Sequence, residues 1–442
     1  MVRLGDHVDA CLGKMLDAKK NKGSPQPYLG NSNVRWGAFN LADLAEMRFE
    51  SHEEARYGLE PGDLVVCEGG EPGRCAIWTA APGMKIQKAL HRIRPKATLN
   101  NYYLFYWFRH AAKAGLLEPH FTGTTIKHLT GKAIAAIEIP LPPVETQIAM
   151  VETLKKLDER IDLLRQTNAT LESIAHALFK SWFIDFDPVR AKAEGREPEG
   201  MDAKTAELFP DAFEDSALGE IPRGWTGIPF GELLSFAIGG DWGAEGPTDT
   251  CTQPATIIRG TDIPDIAAGQ FDEVPRRFVS PKKSEKRTLQ DGDLVIEVSG
   301  GSKTQPTGRS LYVTDGMLAK LGSTAVPTSF CRLFRAVDAH TALLLRQHLA
   351  AIYQTGKMWN YQVQSTGLAN FQTQHFLDAE IVVMPPPPVR KAFFDIVRPL
   401  IDRAYSAPIA ELVALRDTLL PRLISGKLRL PEAEAQLNEA LA

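Results

Sequence analysis

The run LEPGDLVV at residues 59–66 returns as LQDGDLVI at residues 289–296. Each copy continues into a Gly-Gly pair and then a Gly-Arg pair, at Gly69-Gly70 and Gly73-Arg74 and again at Gly300-Gly301 and Gly308-Arg309. A Gly-Asp turn followed by a short apolar run is typical of a strand. The sequence therefore contains an internal repeat with a period of roughly 230–245 residues, which predicts two copies of one strand-rich globular unit.

A second echo closes each copy. The stretch from Thr122-Gly123 ends in IEIPLPPV, and the stretch from Thr366-Gly367 ends in AEIVVMPPPPV. Both run into segments with helical periodicity. Shorter helices are predicted at 99–113 and 338–354, with Asn100 and Asp338 as N-caps. The predicted organisation is a first unit at 1–143, a helix at 144–183, an acidic linker at 184–220, a second unit at 221–384, a second helix at 385–430 and a tail at 431–442.

The first long helix has an apolar position every three or four residues. Its a and d positions are Leu154, Leu157, Ile161, Leu164, Asn168, Leu171, Ala175, Leu178 and Trp182. This spacing predicts a coiled-coil helix on the order of 60 Å long. A core helix of a globular domain is the alternative, but a lone Asn at an a position favours the coiled coil because it fixes register.

The second helix keeps the same spacing less regularly. Val389, Phe393, Val397, Leu400 and Ala404 follow the pattern, and Leu412, Leu415, Leu419 and Leu423 resume it. Pro399 and Pro408 lie between the two runs and are expected to kink or interrupt the helix. Taken with the repeat, the sequence predicts an α+β protein in which two similar units alternate with two long helices.

Composition sets limits on the class of protein. The 442 residues have a net charge of −4, and the acid is concentrated in 144–220, where 17 Asp/Glu face 9 Lys/Arg. The remainder is near neutral or basic, which permits nucleic-acid binding without requiring it. Five scattered cysteines without a C-x-x-C pair indicate neither disulfides nor a zinc site, and the histidines show no metal spacing. With no membrane-spanning run and no signal peptide, a cytoplasmic protein is expected.

Motifs of enzymes are missing from the sequence. There is no P-loop, no N-P-P-Y-like tetrapeptide of an amino-methyltransferase and no H-E-x-x-H or G-x-S-x-G motif. The carboxylates between Asp262 and Glu273, near Arg276 and Arg277, could be interpreted as a nuclease site, although loop carboxylates are usually just solvated. We therefore expect no catalytic residue, no metal and no cofactor in this chain.

The remaining candidates are polar and basic residues that could contact DNA. Lys and Arg suit phosphate contacts, whereas Arg, Asn and Gln can read base edges. The residues selected by type and loop placement are Lys19, Lys20, Lys22, Arg35, Lys85 and Arg92 in the first unit, and Arg259, Lys282, Lys283, Lys303, Gln305, Asn360 and Gln362 in the second. The alternative for any such cluster is an ordinary solvated face.

Four aromatic residues end the first long helix. Phe179, Trp182, Phe183 and Phe186 stand beside the acidic linker, and an exposed aromatic cluster there would suit a protein interface. The alternative is that these side chains pack on their own domain.

Motifs in three regions of the chain resemble a known family. LPPVETQ at 141–147, LDERI at 157–161 and LFKSWFIDFDPV at 178–189 are similar to the central conserved region of the specificity subunits of type I restriction–modification systems. LRDTLLPRLISGKL at 415–428 is similar to the conserved C-terminal end of these subunits, and GEIPRGW at 219–225 to the entry of their second target-recognition domain. The departure from the family pattern is the pair Pro399 and Pro408.

The resemblance implies two target-recognition domains separated by two antiparallel coiled-coil helices with pseudo-two-fold symmetry. Each domain would read half of a bipartite site in double-stranded DNA. The implied partners are two methyltransferase subunits, which bind S-adenosylmethionine and methylate adenine, and often two motor–nuclease subunits. The rival hypotheses are a coiled-coil scaffold that binds no DNA and a self-contained methyltransferase or nuclease.

Overall fold

The computed structural model describes residues 1–17, 21–124, 126–271, 273–302, 304–322, 324–364 and 369–441. The chain forms two compact units, the first comprising Met1–Ile161 with Glu411–Ala442 and the second Asp162–Ala410. None of the helices in the described part of the chain has the length and hydropathy needed to cross a bilayer.

The first unit is built on short strands and several helices. Its strands are β1 (Val2–Arg3), β2 (Val8–Leu12), β3 (Ser24–Leu29), β4 (Val34–Arg35), β5 (Ala38–Phe39), β6 (Ala45–Phe49), β7 (Leu64–Cys67), β8 (Cys75–Ile77), β9 (Lys85–Ile86), β10 (Leu90–Pro95) and β11 (Glu138–Ile139). Its helices are α1 (Glu54–Tyr57), α2 (Asn101–Lys113) and α3 (Gly131–Ala136), followed by the start of α4 (Val144–Phe183).

Two sheets organise this unit. An antiparallel sheet has the order β2-β10-β7-β8, and a smaller one has the order β6-β3-β9, in which β3 pairs antiparallel with β6 and parallel with β9. Strand β7 is apolar throughout and fully buried, as its LVVC sequence requires. Helix α2 begins where predicted, because the Asn100 side chain accepts a hydrogen bond from the Tyr103 N–H at 3.1 Å.

The second unit continues from α4 through a longer set of elements. Its strands are β12 (Phe213–Ser216), β13 (Gly219–Pro222), β14 (Thr226–Pro229), β15 (Leu234–Gly239), β16 (Gln253–Ile258), β17 (Arg276–Val279), β18 (Leu294–Glu297), β19 (Ser299–Gly300), β20 (Ser310–Tyr312), β21 (Ala325–Pro327), β22 (Cys331–Ala336), β23 (Gln362–Gln364), β24 (Ala369–Phe371) and β25 (Ile381–Met384). Its helices are α5 (Asp187–Ala193), α6 (Ala203–Glu207), α7 (Ile263–Ala267), α8 (Pro281–Ser284), α9 (Asp315–Leu321), α10 (Ala339–Gln354), α11 (Thr373–Ala379) and α12 (Pro387–Ser406).

The two units share one strand plan. The antiparallel sheet of the second unit has the order β15-β22-β18-β20, which matches β2-β10-β7-β8 strand for strand. Its sheet β17-β16-β21 again combines one antiparallel and one parallel pairing, as in β6-β3-β9. The helix that follows β10 in the first unit is capped by Asn100, and the helix that follows β22 in the second unit is capped by Asp338. The internal repeat predicted from the sequence is therefore confirmed.

The repeated Gly-Asp turn has a definite structural role. Asp63, 1% exposed, accepts a hydrogen bond from the Glu60 N–H at 2.8 Å and binds Arg94 on β10 at 2.7 Å. Asp293, also 1% exposed, accepts one from the Gln290 N–H at 2.7 Å and binds Arg335 on β22 at 2.7 Å. Each Asp thus joins the turn to the neighbouring strand, which explains why the motif occurs in both copies.

Helix α4 presents the predicted seam. Leu154, Leu157, Ile161, Leu164 and Ala175 are all buried. Within the second unit the Asn168 side-chain amide donates to the Ala404 carbonyl at 2.8 Å, and Phe179 contacts Phe393. From the first contact to the second, the residue number rises on α4 from 168 to 179 and falls on α12 from 404 to 393. The two helices are therefore antiparallel there. The predicted position of Asn168 inside the seam is confirmed.

The C-terminal helix is divided into three. Helix α12 is followed by α13 (Ile409–Ile424) and α14 (Leu430–Leu441). Pro399 lies inside α12 without interrupting it, whereas the break falls at Ala407, which is extended, as expected before Pro408. The predicted effect of Pro408 is thus seen and that of Pro399 is not. The segment predicted as a tail forms α14, in which Ala433 and Leu437 are buried.

The acidic segment 184–220 also differs from the expectation of an exposed linker. It contains α5, α6 and the β12–β13 hairpin. Val189 and Phe209 are buried in the core of the second unit, and the Lys192 ammonium donates to the Ala206 carbonyl at 3.0 Å. The acids lie on the solvent side of a folded segment, so composition alone did not reveal the apolar residues that anchor it.

Candidate nucleic-acid interface

A basic surface lies along one edge of the second unit. We define it as loop 239–244 together with residues 276–287. The latter stretch holds six Lys/Arg and one Asp/Glu, a net charge of +5. Arg276, Lys282, Lys283 and Lys286 are exposed on it. A concentration of mobile cations of this kind suits contact with phosphates.

Loop 239–244 is fastened to the rest of this surface at several points. The Arg287 Nε–H donates to the Gly239 carbonyl at 2.8 Å, and the Lys283 ammonium lies 3.4 Å from the Asp241 carboxylate. The Ala244 N–H donates to the Phe278 carbonyl at 2.8 Å. A Cβ on Gly240 would lie 2.1 Å from the Pro327 carbonyl oxygen, so glycine is required for this close approach. The basic surface therefore has a fixed backbone.

A second polar region, which we call the polar edge, consists of the sheet β19-β24-β23 and residues 304–309 before β20. The Gln362 side chain accepts hydrogen bonds from the N–H of Thr307 at 2.9 Å and from its hydroxyl at 3.1 Å. The Ser299 hydroxyl donates to the Asn370 side chain at 3.1 Å. Amide and hydroxyl groups held in this way have the hydrogen-bonding capacity needed to read base edges.

Glu380 anchors the backbone that leads into the polar edge. Its fully buried carboxylate lies 2.7 Å from His348 Nε2 and 2.7 Å from the Lys357 ammonium, and accepts a hydrogen bond from the Tyr361 hydroxyl at 2.5 Å. Burial alone would raise the pKa of the Glu380 carboxyl, but its bonds to His348, Lys357 and Tyr361 outweigh that effect and lower the pKa to about 2. Lys357 and Tyr361 belong to the turn immediately before β23.

Glu380→Gln is expected to weaken the second unit at neutral pH and to flatten its acid denaturation. A carboxyl whose pKa falls from 4.5 to about 2 on folding contributes stability above pH 4.5, and this contribution is lost as the pH falls toward 2. The expected loss is on the order of 3 kcal/mol at pH 7. Urea unfolding of wild type and variant between pH 2 and pH 7 measures it. Equal losses for the variant at pH 2 and pH 7 would contradict the assignment.

Two of the predicted contact residues are buried, which argues against DNA contact. Lys85 is 1% exposed. Its ammonium donates to the Glu54 carboxylate, and to the Gly83 carbonyl at 2.6 Å. Arg92 is 3% exposed and donates to Asp9 at 2.7 Å and to the Ala55 carbonyl at 3.0 Å. Both lie on strands covered by the segment 50–57, so their charges are used inside the first unit.

Other predicted residues reach solvent. Lys22 and Arg35 are exposed in the first unit, where Arg35 also donates to the Ser32 carbonyl at 2.7 Å. Lys282, Lys283 and Asn360 are exposed in the second unit, and Gln305 is half-buried near Tyr353. Lys19, Lys20 and Lys303 lie outside the described residues, as does the Thr366-Gly367 echo.

Arg259 is engaged with the carboxylate that had suggested a nuclease. Its guanidinium binds Asp262 at 2.6 Å and donates to the Glu273 carbonyl at 3.1 Å. Asp262, 4% exposed, also accepts from the Arg259 N–H at 2.9 Å. These contacts close a turn of the chain, so the pair has a structural role.

The four aromatic residues at the end of α4 are in the core. Phe179, Trp182, Phe183 and Phe186 are between 2% and 9% exposed, and their rings contact Phe209, Phe213, Trp225 and Phe393. The exposed cluster on which the predicted subunit interface depended is therefore absent from this surface. Segment 184–220, folded over the end of the helix, supplies the cover.

One possible cation-binding group occurs among the described residues. Glu50, His52 and Glu53 bring ligand atoms within 4.8 Å of one another. The Glu53 carboxylate already accepts from the Lys14 ammonium at 2.5 Å and from the Glu50 N–H at 2.9 Å, which lowers the pKa of Glu53 against the raising effect of its burial. The hydrogen bonds of Glu53 within the first unit explain why these three side chains lie close together, without a cation.

Sequence reasoning missed Trp242. This residue is 36% exposed on loop 239–244, and its ring lies 4.2 Å from the guanidinium carbon of Arg277. The available signal was a lone Trp between glycines in GGDWG, directly after the apolar stretch LLSFAI at 233–238.

Comparison with known proteins agrees with this architecture of two repeated units and paired helices. A family model described as the type I restriction modification DNA specificity domain matches residues 13–173. The type I restriction enzyme MjaIX specificity subunit of Methanocaldococcus jannaschii is 24% identical over 379 residues, covering 84% of this chain and 78% of that protein. The type I restriction enzyme HindI specificity subunit of Haemophilus influenzae is 26% identical over 336 residues, covering 69% and 72%.

A solved structure shows the same fold. The crystal structure of the S subunit of a type I restriction–modification system from M. genitalium matches with a TM-score of 0.52 and 14% identity, covering 96% of this chain and 95% of that one. The chain is thus a two-unit protein with the fold of that S subunit. Over most of its length its sequence is similar to specificity subunits of type I restriction enzymes.

Proposed function

We propose that this chain selects the DNA sequence on which a type I restriction–modification complex acts. Each unit reads one half of a bipartite site in double-stranded DNA. The observation that carries the proposal is the shared strand order of the two units, β2-β10-β7-β8 and β15-β22-β18-β20, in a chain that is similar to specificity subunits. Two copies of one reading unit suit a site made of two separated halves.

The surfaces of the second unit support this function. Its basic surface supplies cations for phosphates, and its polar edge supplies amides and hydroxyls for base edges. The two surfaces belong to one compact unit, so phosphate contacts can fix the register in which the polar edge meets the bases. Lys22 and Arg35 are the predicted contacts of the first unit that remain exposed.

Catalysis is assigned to partner subunits. The chain would carry two methyltransferase subunits, which supply S-adenosylmethionine and transfer its methyl group to adenine, and often two motor–nuclease subunits. For the docking surface we replace the buried aromatic cluster with the outer face of α4. Leu163 and Ile174 are 53% and 48% exposed there, and a spacing of 11 residues, about three turns, places them on one face.

Leu163→Glu combined with Ile174→Glu is expected to weaken assembly with the methyltransferase subunits by about tenfold or more, because charges would enter an apolar interface. Both side chains are exposed, so the fold of the isolated chain should be unchanged. Analytical ultracentrifugation of the mixed subunits measures the effect. The control is Ala169→Glu, because Ala169 is exposed on a different face of the same helix. Assembly at the wild-type level by the double variant would contradict this surface.

Selection from random duplexes tests the proposed function. The chain is assembled with its methyltransferase partners, incubated with a library of random double-stranded DNA, and the retained duplexes are sequenced. We expect a motif of two short specific halves separated by a fixed non-specific gap, and no motif with the partners alone. An assembled complex that retains all duplexes equally, or none, would favour the scaffold hypothesis instead.

A further inference from the structure

We propose that Trp242 is a DNA-contacting residue whose indole packs against the bases of the half-site read by the second unit. This inference rests on the proposed function and adds a specificity-determining group to it. The chemical class of the ligand is duplex DNA with a base step that can be partly unstacked. Apolar and aromatic side chains act in this way where a protein wedges into or stacks upon bases.

The first support is the rigid presentation of the indole. Gly240 donates its N–H to the Cys331 carbonyl at 3.0 Å, and Asp241 donates to the Pro327 carbonyl at 2.9 Å. Gly243 has φ +66°, and a Cβ there would lie 2.5 Å from the Phe278 carbonyl oxygen. The backbone on both sides of Trp242 is therefore fixed, so little conformational freedom remains to be lost when the ring binds.

The second support is the contact between one face of the indole and a guanidinium. The Arg277 guanidinium carbon lies 4.2 Å from the ring of Trp242, and the Arg277 side chain is only 13% exposed. A cation against one face leaves the other face of the indole available for a base. The Arg277 Nη1 also lies 3.6 Å from the Glu245 carboxylate, but Glu245 is 89% exposed, so the burial of the Arg277 side chain restrains the guanidinium more than this contact does.

The third support is the charge around the ring, which favours DNA over a protein partner. Loop 239–244 is fastened along residues 276–287, whose net charge is +5. Lys283 beside Asp241 is 59% exposed and can turn toward a phosphate. An apolar protein surface would have to bury these ammonium groups, whereas a DNA backbone would neutralise them.

The experiment compares binding of one selected duplex by complexes containing wild type, Trp242→Ala, Trp242→Phe or Lys283→Ala at several salt concentrations. Trp242→Ala should weaken binding by about tenfold without changing the salt slope, because stacking involves no counterion release. Trp242→Phe should restore most of the affinity. Lys283→Ala should instead reduce the salt slope by about one. Val337→Ala is the matched control, since Val337 is 52% exposed at the opposite end of the β15–β22 pair.

The outcomes separate this inference from the function on which it rests. Specific binding by wild type with Trp242→Ala within twofold of it would overturn the role of Trp242 and leave the proposed function standing. A loss for Trp242→Ala that Val337→Ala reproduces would also overturn it. The absence of any sequence preference in the wild-type complex would overturn both.

Discussion

Trp182→Ala is expected to reduce the free energy of unfolding of the second unit by roughly 3–5 kcal/mol, the range found for removing a buried indole from a packed core. Trp182 is 4% exposed and its ring contacts Phe183, Phe209 and Phe393. These rings join α4, α12 and segment 184–220, so the cavity would loosen all three. Urea unfolding followed by far-ultraviolet circular dichroism measures the change.

Leu163→Ala is the control for this experiment, because Leu163 lies on the same helix but is 53% exposed. Its unfolding should stay close to that of wild type. A Trp182→Ala protein with unchanged stability but impaired assembly would contradict the core position and restore the interface first predicted from the sequence.

Exchanging residues 1–143 for the matching segment of a relative with another specificity should change one half-site and leave the other unchanged. The first unit has its own core, including Leu29, Val65 and Leu90, and its own exposed loops. Affinity for a duplex with the original first half-site should fall by about a thousandfold, the usual ratio of specific to non-specific binding at its lower end. Duplex selection with the assembled hybrid measures it.

The reciprocal exchange of residues 221–384 is the control, and it should change the other half-site alone. A hybrid in which both half-sites change together would contradict independent reading by the two units. A hybrid that keeps both original half-sites would show that the segment 1–143 does not read DNA.

The sequence predicted the repeated framework because the relevant signals are local. The Gly-Asp turn before an apolar run indicates the strand, and the same Asp makes the same bonds at positions 63 and 293. Asn168 was predicted inside the seam because it occupies an a position, where a lone buried Asn fixes the register of a coiled coil. The helix break at Pro408 follows from the restriction that proline places on the preceding residue.

The parts that failed depend on distant segments. Alternation along a strand shows that Lys85 and Arg92 point from the sheet, but only the fold shows that residues 50–57 cover them and supply Glu54 and the Ala55 carbonyl. The sequence did not show what covers the aromatic end of α4. Segment 184–220 is rich in acids, and the apolar residues that hold it to the core, Val189 and Phe209 among them, are few and scattered. Trp242 was missed because a single residue has no periodicity.

Sequencing of adenine methylation across a host genome, with and without this chain, tests the central claim most directly. With the partner subunits present throughout, the account predicts that adding the chain methylates every copy of one bipartite motif with a fixed gap, and that removing it abolishes this methylation. Methylation that is the same with and without the chain, or a new motif that is continuous and not bipartite, would contradict it.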